Sequence, residues 1–254
     1  MNRLRGCIAA ALTLLSASAS LADLTGNEWV NYGSEQSVID YASLGWSAAS
    51  ERNTIRPETS WAVEDVVLPS AALAVQRIEW IGVRDPQYDY DADFIMLGAV
   101  PDPNSGGYLP DPDNRVTVTD QAWEIEELLL LDADTQVYRG LLDFSSSPID
   151  VVAAHLFLGV RLVGVSGDGG PNDGRNSIAV SSISQSHTVF GGLSQAAFRG
   201  LAWGFPEWAP ISGLFGTPDD RYELAYRIVF VPEPMGVVGL LMAGAAFGRW
   251  VFRG

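Results

Sequence analysis

The run Arg221-Tyr-Glu-Leu-Ala-Tyr-Arg-Ile-Val-Phe230 decides the fold. Tyr222, Leu224, Tyr226, Ile228 and Phe230 fall on one face, and Arg221, Glu223 and Arg227 fall on the other. A period of two held along the whole run makes a β-strand with one buried and one wet face. Short apolar stretches of the same kind recur upstream. They include Ala62–Leu68, broken by Glu64-Asp65, then Leu73–Arg84, Asp93–Val100 and Arg115–Asp120, in which Val116 and Val118 oppose Thr117 and Thr119.

Further candidates are Val137–Phe144, Val151–Val165, Ser177–Ser182, His187–Phe190 and Ala196–Phe205. Trp123–Leu131 has the acids and leucines of a helical turn, but its length and flanking strands favour β. The segment 101–114 is so dense in Pro, Gly, Asp and Asn that it is expected outside regular structure, and a loop is expected over 164–174. Residues 23–60 predict an extended arm with one or two strands and no long helix. Short strands separated by turn signals point to an all-β domain, a β-sandwich or jelly roll.

Downstream of the deciding strand comes Pro232-Glu233-Pro234, then an apolar run from Met235 to Phe247, then Arg249 and Arg253. The prolines remove backbone donors, so strand pairing must stop there. The run behind them is uncharged and rich in Gly and Ala. Left in water it would expose Leu and Val, and its closing arginines match the cytoplasmic side of a bilayer. A core helix is the plainer alternative, disfavoured because the run lacks the one-sided periodicity of such a helix.

At the other end, Arg3 and Arg5, an apolar stretch from Ile8 to Leu15 and the small residues 16–22 form a secretory signal peptide. Cleavage is expected after Ala22, with Ala19 as the alternative. Cys7, the single cysteine, leaves with that leader, so disulfides and thiol chemistry are excluded from the exported chain. The domain organisation expected is therefore signal peptide 1–22, an exported β domain 23–231 and a terminal segment 232–254.

The 209 residues from 23 to 231 suffice to bury a core without staples. Setting aside the four terminal arginines and Glu233 leaves 30 acids against 11 arginines, a net charge near −19, and the sequence contains no lysine. Such a surface repels phosphate backbones, so no nucleic acid partner is expected, and a P-loop is excluded for want of its lysine.

The terminal segment resembles the PEP-CTERM sorting signal of exported bacterial proteins. Three internal stretches are similar to a domain that recurs ahead of such signals. They are Val63-Glu-Asp-Val-Val-Leu68, then Ile78-Glu-Trp-Ile-Gly-Val83 followed by Asp93-Phe-Ile-Met96, and Glu223-Leu-Ala-Tyr-Arg-Ile228 leading straight into Val-Pro-Glu-Pro. Glu64 and Val66 depart from the Asp and Phe of the family's opening stretch, and the basic end is thinner than the usual arginine cluster. The resemblance implies processing at Pro232, Glu233 and Pro234 by an exosortase-type enzyme of the inner membrane, with Arg249 and Arg253 closing the signal. Signal peptidase and that membrane are partners in transit. The destination implied is the cell surface or an extracellular polysaccharide matrix, as in a biofilm. The family carries fold and address rather than an established activity.

Within the domain, Asp85, Asp89, Asp91 and Asp93 alternate along one loop, with Asp102, Asp111 and Asp113 in the next. Calcium, bound by six to eight oxygens, is the cofactor such loops would take. A solvated acidic face with Asx-turns is the plainer reading of the same residues. Asp168–Gly174 has the composition of one fragment of a glycine-rich calcium repeat but no tandem copy. Tyr88, Tyr90, Tyr108, Trp203 and Trp208 lie in or near loops and would be the stacking platform of a carbohydrate-binding, lectin-like module. Trp80, Trp123 and Tyr226 are expected in the core. His155 is expected as a core or edge histidine, and His187 lies near a strand end. No Gly-x-Ser-x-Gly elbow and no His-Glu-x-x-His motif occurs, so the chain is expected to be non-catalytic, with a polysaccharide hydrolase as the least favoured reading.

Overall fold

The computed structural model describes residues 28–52, 59–68, 72–104, 106–164, 176–184, 195–217 and 220–232. The N-terminal signal peptide and the C-terminal apolar run, both expected as helices flanking the β domain, lie outside them, as do the strand at His187–Phe190 and all but the first residue of the 164–174 loop. The chain opens with β1 (Glu28–Val30), the helix α1 (Glu35–Ser43) and the short strands β2 (Ser47–Ala49) and β3 (Glu51–Arg52). The long strands β4 (Ser60–Val67), β5 (Ala72–Arg84), β6 (Tyr90–Pro101) and β7 (Tyr108–Gln121) follow. Then come β8 (Glu124–Asp132), β9 (Thr135–Asp143), β10 (Ile149–Asp150) and β11 (His155–Gly164). The last elements are β12 (Asn176–Ser184), β13 (Ala197–Gly200), β14 (Phe205–Pro210), the single turn α2 (Ser212–Phe215), β15 (Arg221–Leu224) and β16 (Tyr226–Pro232).

These strands form two curled sheets, one of nine strands and one of seven. In the first, β5 is the spine. On one side it pairs with β16 and β12, and on the other with β10 and with β9, which in turn carries β8. In the second the order is β14-β13-β4-β11-β6-β7. The pairings are antiparallel except for the short β3 against β11. This is the all-β, sandwich-like architecture that the alternating sequence predicts.

The main core lies between the sheets. Val75, Ile78, Trp80 and Tyr226 come from one side, and Phe94, Met96, Leu156, Leu158 and Val160 from the other, all essentially buried. Each large apolar side chain so buried is worth about 1.5–3 kcal/mol. A second cluster forms where Val38 and Ala42 of α1 cover Ile81, Val137, Ala179 and Ala225 on the outer face of the first sheet. A third joins Trp61, Val63, Ile95, Leu97 and Phe157 on the outer face of the second, with Tyr108 and Trp208 packed against it.

Three expectations need correction. The arm at 23–60 contains a nine-residue helix, α1, started by Ser34, whose hydroxyl accepts from Ser37 N–H (3.2 Å). Val38 and Ala42, one turn apart, give α1 its buried stripe, and Gly45 at φ +84° follows its end. Within the segment 101–114, Pro101 still belongs to β6, and β7 begins at Tyr108 and runs through Pro110 and Pro112. It can do so because β7 is an edge strand, with a register shift that brings Gly98 opposite Asp111 and Leu97 opposite Arg115, so the prolines owe the ladder no donor. Finally, the deciding strand is two strands broken at Ala225. β15 pairs with β12 and β16 with β5, while Ala225 itself bonds Ala179 and Ile81. No helix among the described residues is long and apolar enough to cross a membrane.

Candidate functional site

At one side of the sandwich β15 and β4 come together and close the gap between the sheets. The edge of β15 turned away from β12 is used up here. Tyr222 C=O accepts from Ala196 N–H (3.0 Å), and Leu224 N–H donates to Glu64 Oε2 (2.6 Å). Glu64 thus serves the edge in place of a neighbouring strand. Asn31, just past β1, bridges the break at Ala225. Its side-chain carbonyl accepts from Tyr226 N–H (2.8 Å), its amide donates to Leu224 C=O, and it also lies against Glu64.

Two more carboxylates meet Glu64. Asp65 and Glu223 bring oxygens to it so that all three lie within 4.8 Å of one another, and all three residues are buried. Alternation places Glu223 on the wet face with Arg221 and Arg227. The structure buries it instead, because the seam with β4 covers that face of β15. His155 Nε2 stands 3.7 Å from Asp65 Oδ2, with its ring against Tyr108 and Phe157 (centroids 4.5 and 6.1 Å). Among the described residues no arginine forms an ion pair with Glu64 or Glu223. Burial pushes the Glu64 carboxyl up to about 8. Burial, with the Glu64 charge beside it, lifts Glu223 well above the carboxylate range.

The aspartates 85, 89, 91 and 93 do not converge in this way; no three of them bring oxygens within 4.8 Å of one another. Asp85 accepts from Gln87 N–H (2.9 Å), as Asp102 does from Asn104 and Asp111 from Asp113, which is Asx-turn geometry. Asp91 and Asp93 belong to β6 rather than a loop. Asp93 is fully buried and neutralised by Arg161 through Nε and Nη2 (both 2.8 Å), with Arg52 Nε at 3.3 Å and Asp120 N–H at 2.9 Å. Arg161 also stacks over Trp61, 4.1 Å from the ring centroid.

Nor do the five aromatics form one platform. Tyr90 is buried, Tyr88 packs half-buried against the main core, and Tyr108 and Trp208 pack against the outer cluster of the second sheet. Trp203 alone of the five is exposed, on the 3-10 turn 201–203 beside exposed Leu201. Trp80 and Tyr226 are in the core, and Trp123 packs half-buried against it.

Pro232 ends β16 in register with Ala72, whereas Glu233, Pro234, Arg249, Arg253 and Ala22 lie outside the described residues, as do His187 and Asp168–Gly174. The triad was visible in sequence only as an acidic interruption in the run Ala62–Leu68. No family model, no curated protein and no solved structure matches the chain.

Proposed function

We propose that this chain is an exported, non-catalytic passenger, delivered through its C-terminal sorting signal to serve as a structural or interaction component of the bacterial surface or its polysaccharide matrix. What supports the reading inside the fold is the placement of the two ends. Glu28, where the described chain begins, is paired with Val229, three residues before the end of β16 at Pro232. Leader and sorting segment therefore attach at the same end of the same pair of strands. A passenger held by one such end projects its body away from the bilayer, and the described core between the sheets is built from residues 29–230. The first residue of the Pro-Glu-Pro triplet, Pro232, is still paired within the sheet, in register with Ala72.

The test is to express the tagged full chain in a host with an exosortase, beside a Glu233→Ala/Pro234→Ala variant that spares Pro232 and hence β16. Mass spectrometry of the product should find Asp23 at its amino end and the tail removed or replaced. The variant should keep its tail and stay in the inner membrane. A cytosolic product with both ends intact would overturn the reading.

A further inference from the structure

We propose that Glu64, Asp65 and Glu223 bind one hard divalent cation, calcium first, which staples the first sheet to the second. This does not depend on how the chain is delivered. The three carboxylates come from strands of different sheets, so an ion among them would tie β4 to β15. Two oxygens on one calcium, each about 2.4 Å from it, lie at most about 4.8 Å apart, which is the span within which these ligand atoms fall.

The cluster is also short of positive charge, unlike the buried carboxylate of Asp93. Buried Asp93 has two arginines, whereas among the described residues Glu64 Oε1 and both oxygens of Glu223 have no N–H or hydroxyl donor and are left with the hydrogen bond between the two carboxyls themselves. A second observation lies on the strand opposite. A bulge in β12 between Val180 and Ser182 sets Ser181 and Ser182 against Glu223, and the hydroxyls of both are buried and unpartnered, Ser181 being 5% exposed. Leaving so many buried polar atoms unmet is costly unless a ligand meets them.

The donor set selects the ion. Every candidate ligand is a carboxylate or hydroxyl oxygen, with no thiolate and with His155 set back behind Asp65, which disfavours zinc. Magnesium holds its waters and demands a tight octahedron, whereas calcium accepts an irregular shell with bidentate carboxylates in a site closed to solvent.

The experiment uses the full chain in detergent. Purified without chelator, it should carry about one calcium per chain by mass spectrometric metal analysis, and EDTA should remove that calcium and lower Tm. Calorimetric titration of the stripped protein should show a single site tighter than about 1 mM, weakened on the order of tenfold or more by Glu223→Gln or Glu64→Gln. Asp113→Asn, an exposed acid of β7, should leave it unchanged. Absence of calcium, magnesium or manganese binding to folded, stripped protein would overturn the proposal. So would tighter binding of zinc, or calcium binding indifferent to both glutamine variants. If neither variant folds, metal content and the EDTA-dependent fall in Tm of the unaltered chain decide.

Discussion

At Glu64 a single proton carries a visible share of stability. In the metal-free protein its folded carboxyl titrates at about 8, against the ordinary range near 4.5 when unfolded. A group whose value is raised on folding contributes stability in full below its unfolded value and loses it as pH rises through the folded one. In EDTA, Tm should therefore fall between about pH 5 and about pH 9, and Glu64→Gln, which keeps the shape of the protonated form, should flatten that decline. A Tm rising across this window would contradict the burial that causes the shift. Gly140 fails differently. It sits in register with Trp80, and a Cβ there would come within 2.2 Å of the indole. Gly140→Ala should cost about 1–3 kcal/mol by overpacking, read as a lower Tm with unchanged circular dichroism at low temperature. Gly140 could not be singled out from sequence, and Glu64 stood out only as half of the acidic break in Ala62–Leu68. Alternation put Glu223 on the wet face because period two reports which face a side chain shares, not what later covers that face.

Among the elements, β16 was legible because a half-buried strand must alternate, whereas β4, buried along almost its whole length, was legible as a short, nearly continuous apolar run. The exceptions have local causes. Helix α1 has only nine residues, about two and a half turns, and buries only Val38 and Ala42, too small a stripe to stand out. Pro110 and Pro112 announce a loop but occupy an edge. The most exposed element is β8, which among the described residues pairs only with β9 and presents Ile125, Leu129, Leu130 and Leu131 to solvent. An open apolar edge invites pairing with another chain, and the charges interleaved along it, Glu124, Glu126, Glu127 and Asp132, oppose that. Replacing the three glutamates with glutamine should produce concentration-dependent association by light scattering. A variant that stays monodisperse would show that the edge is protected by something other than charge.

At the scale of the molecule, excess negative charge acts against compactness. Five arginines of the described fold are already engaged in ion pairs: Arg52 and Arg161 with Asp93, Arg77 with Glu79, Arg139 with Glu35 and Glu126, and Arg227 with Glu28 and Glu79. With 30 acids to 11 arginines between residues 23 and 231, most carboxylates have no cation to meet, so the sum over the surface is repulsive. Exposed pairs contribute little individually and lose that little in salt, whereas the net repulsion extends over the whole surface. Raising sodium chloride from about 10 to about 100 mM shortens the screening length from about 30 to about 10 Å, which weakens repulsion across the molecule more than it weakens contacts of 3–4 Å. Tm of the metal-free chain should therefore rise with salt. A fall would mean that the ion pairs outweigh the repulsion and that the fold tolerates its charge by pairing rather than by distance. Calcium offers an internal check, because its effect at the seam of β4 and β15 should saturate at one ion per chain, while screening by sodium continues to grow without stoichiometry.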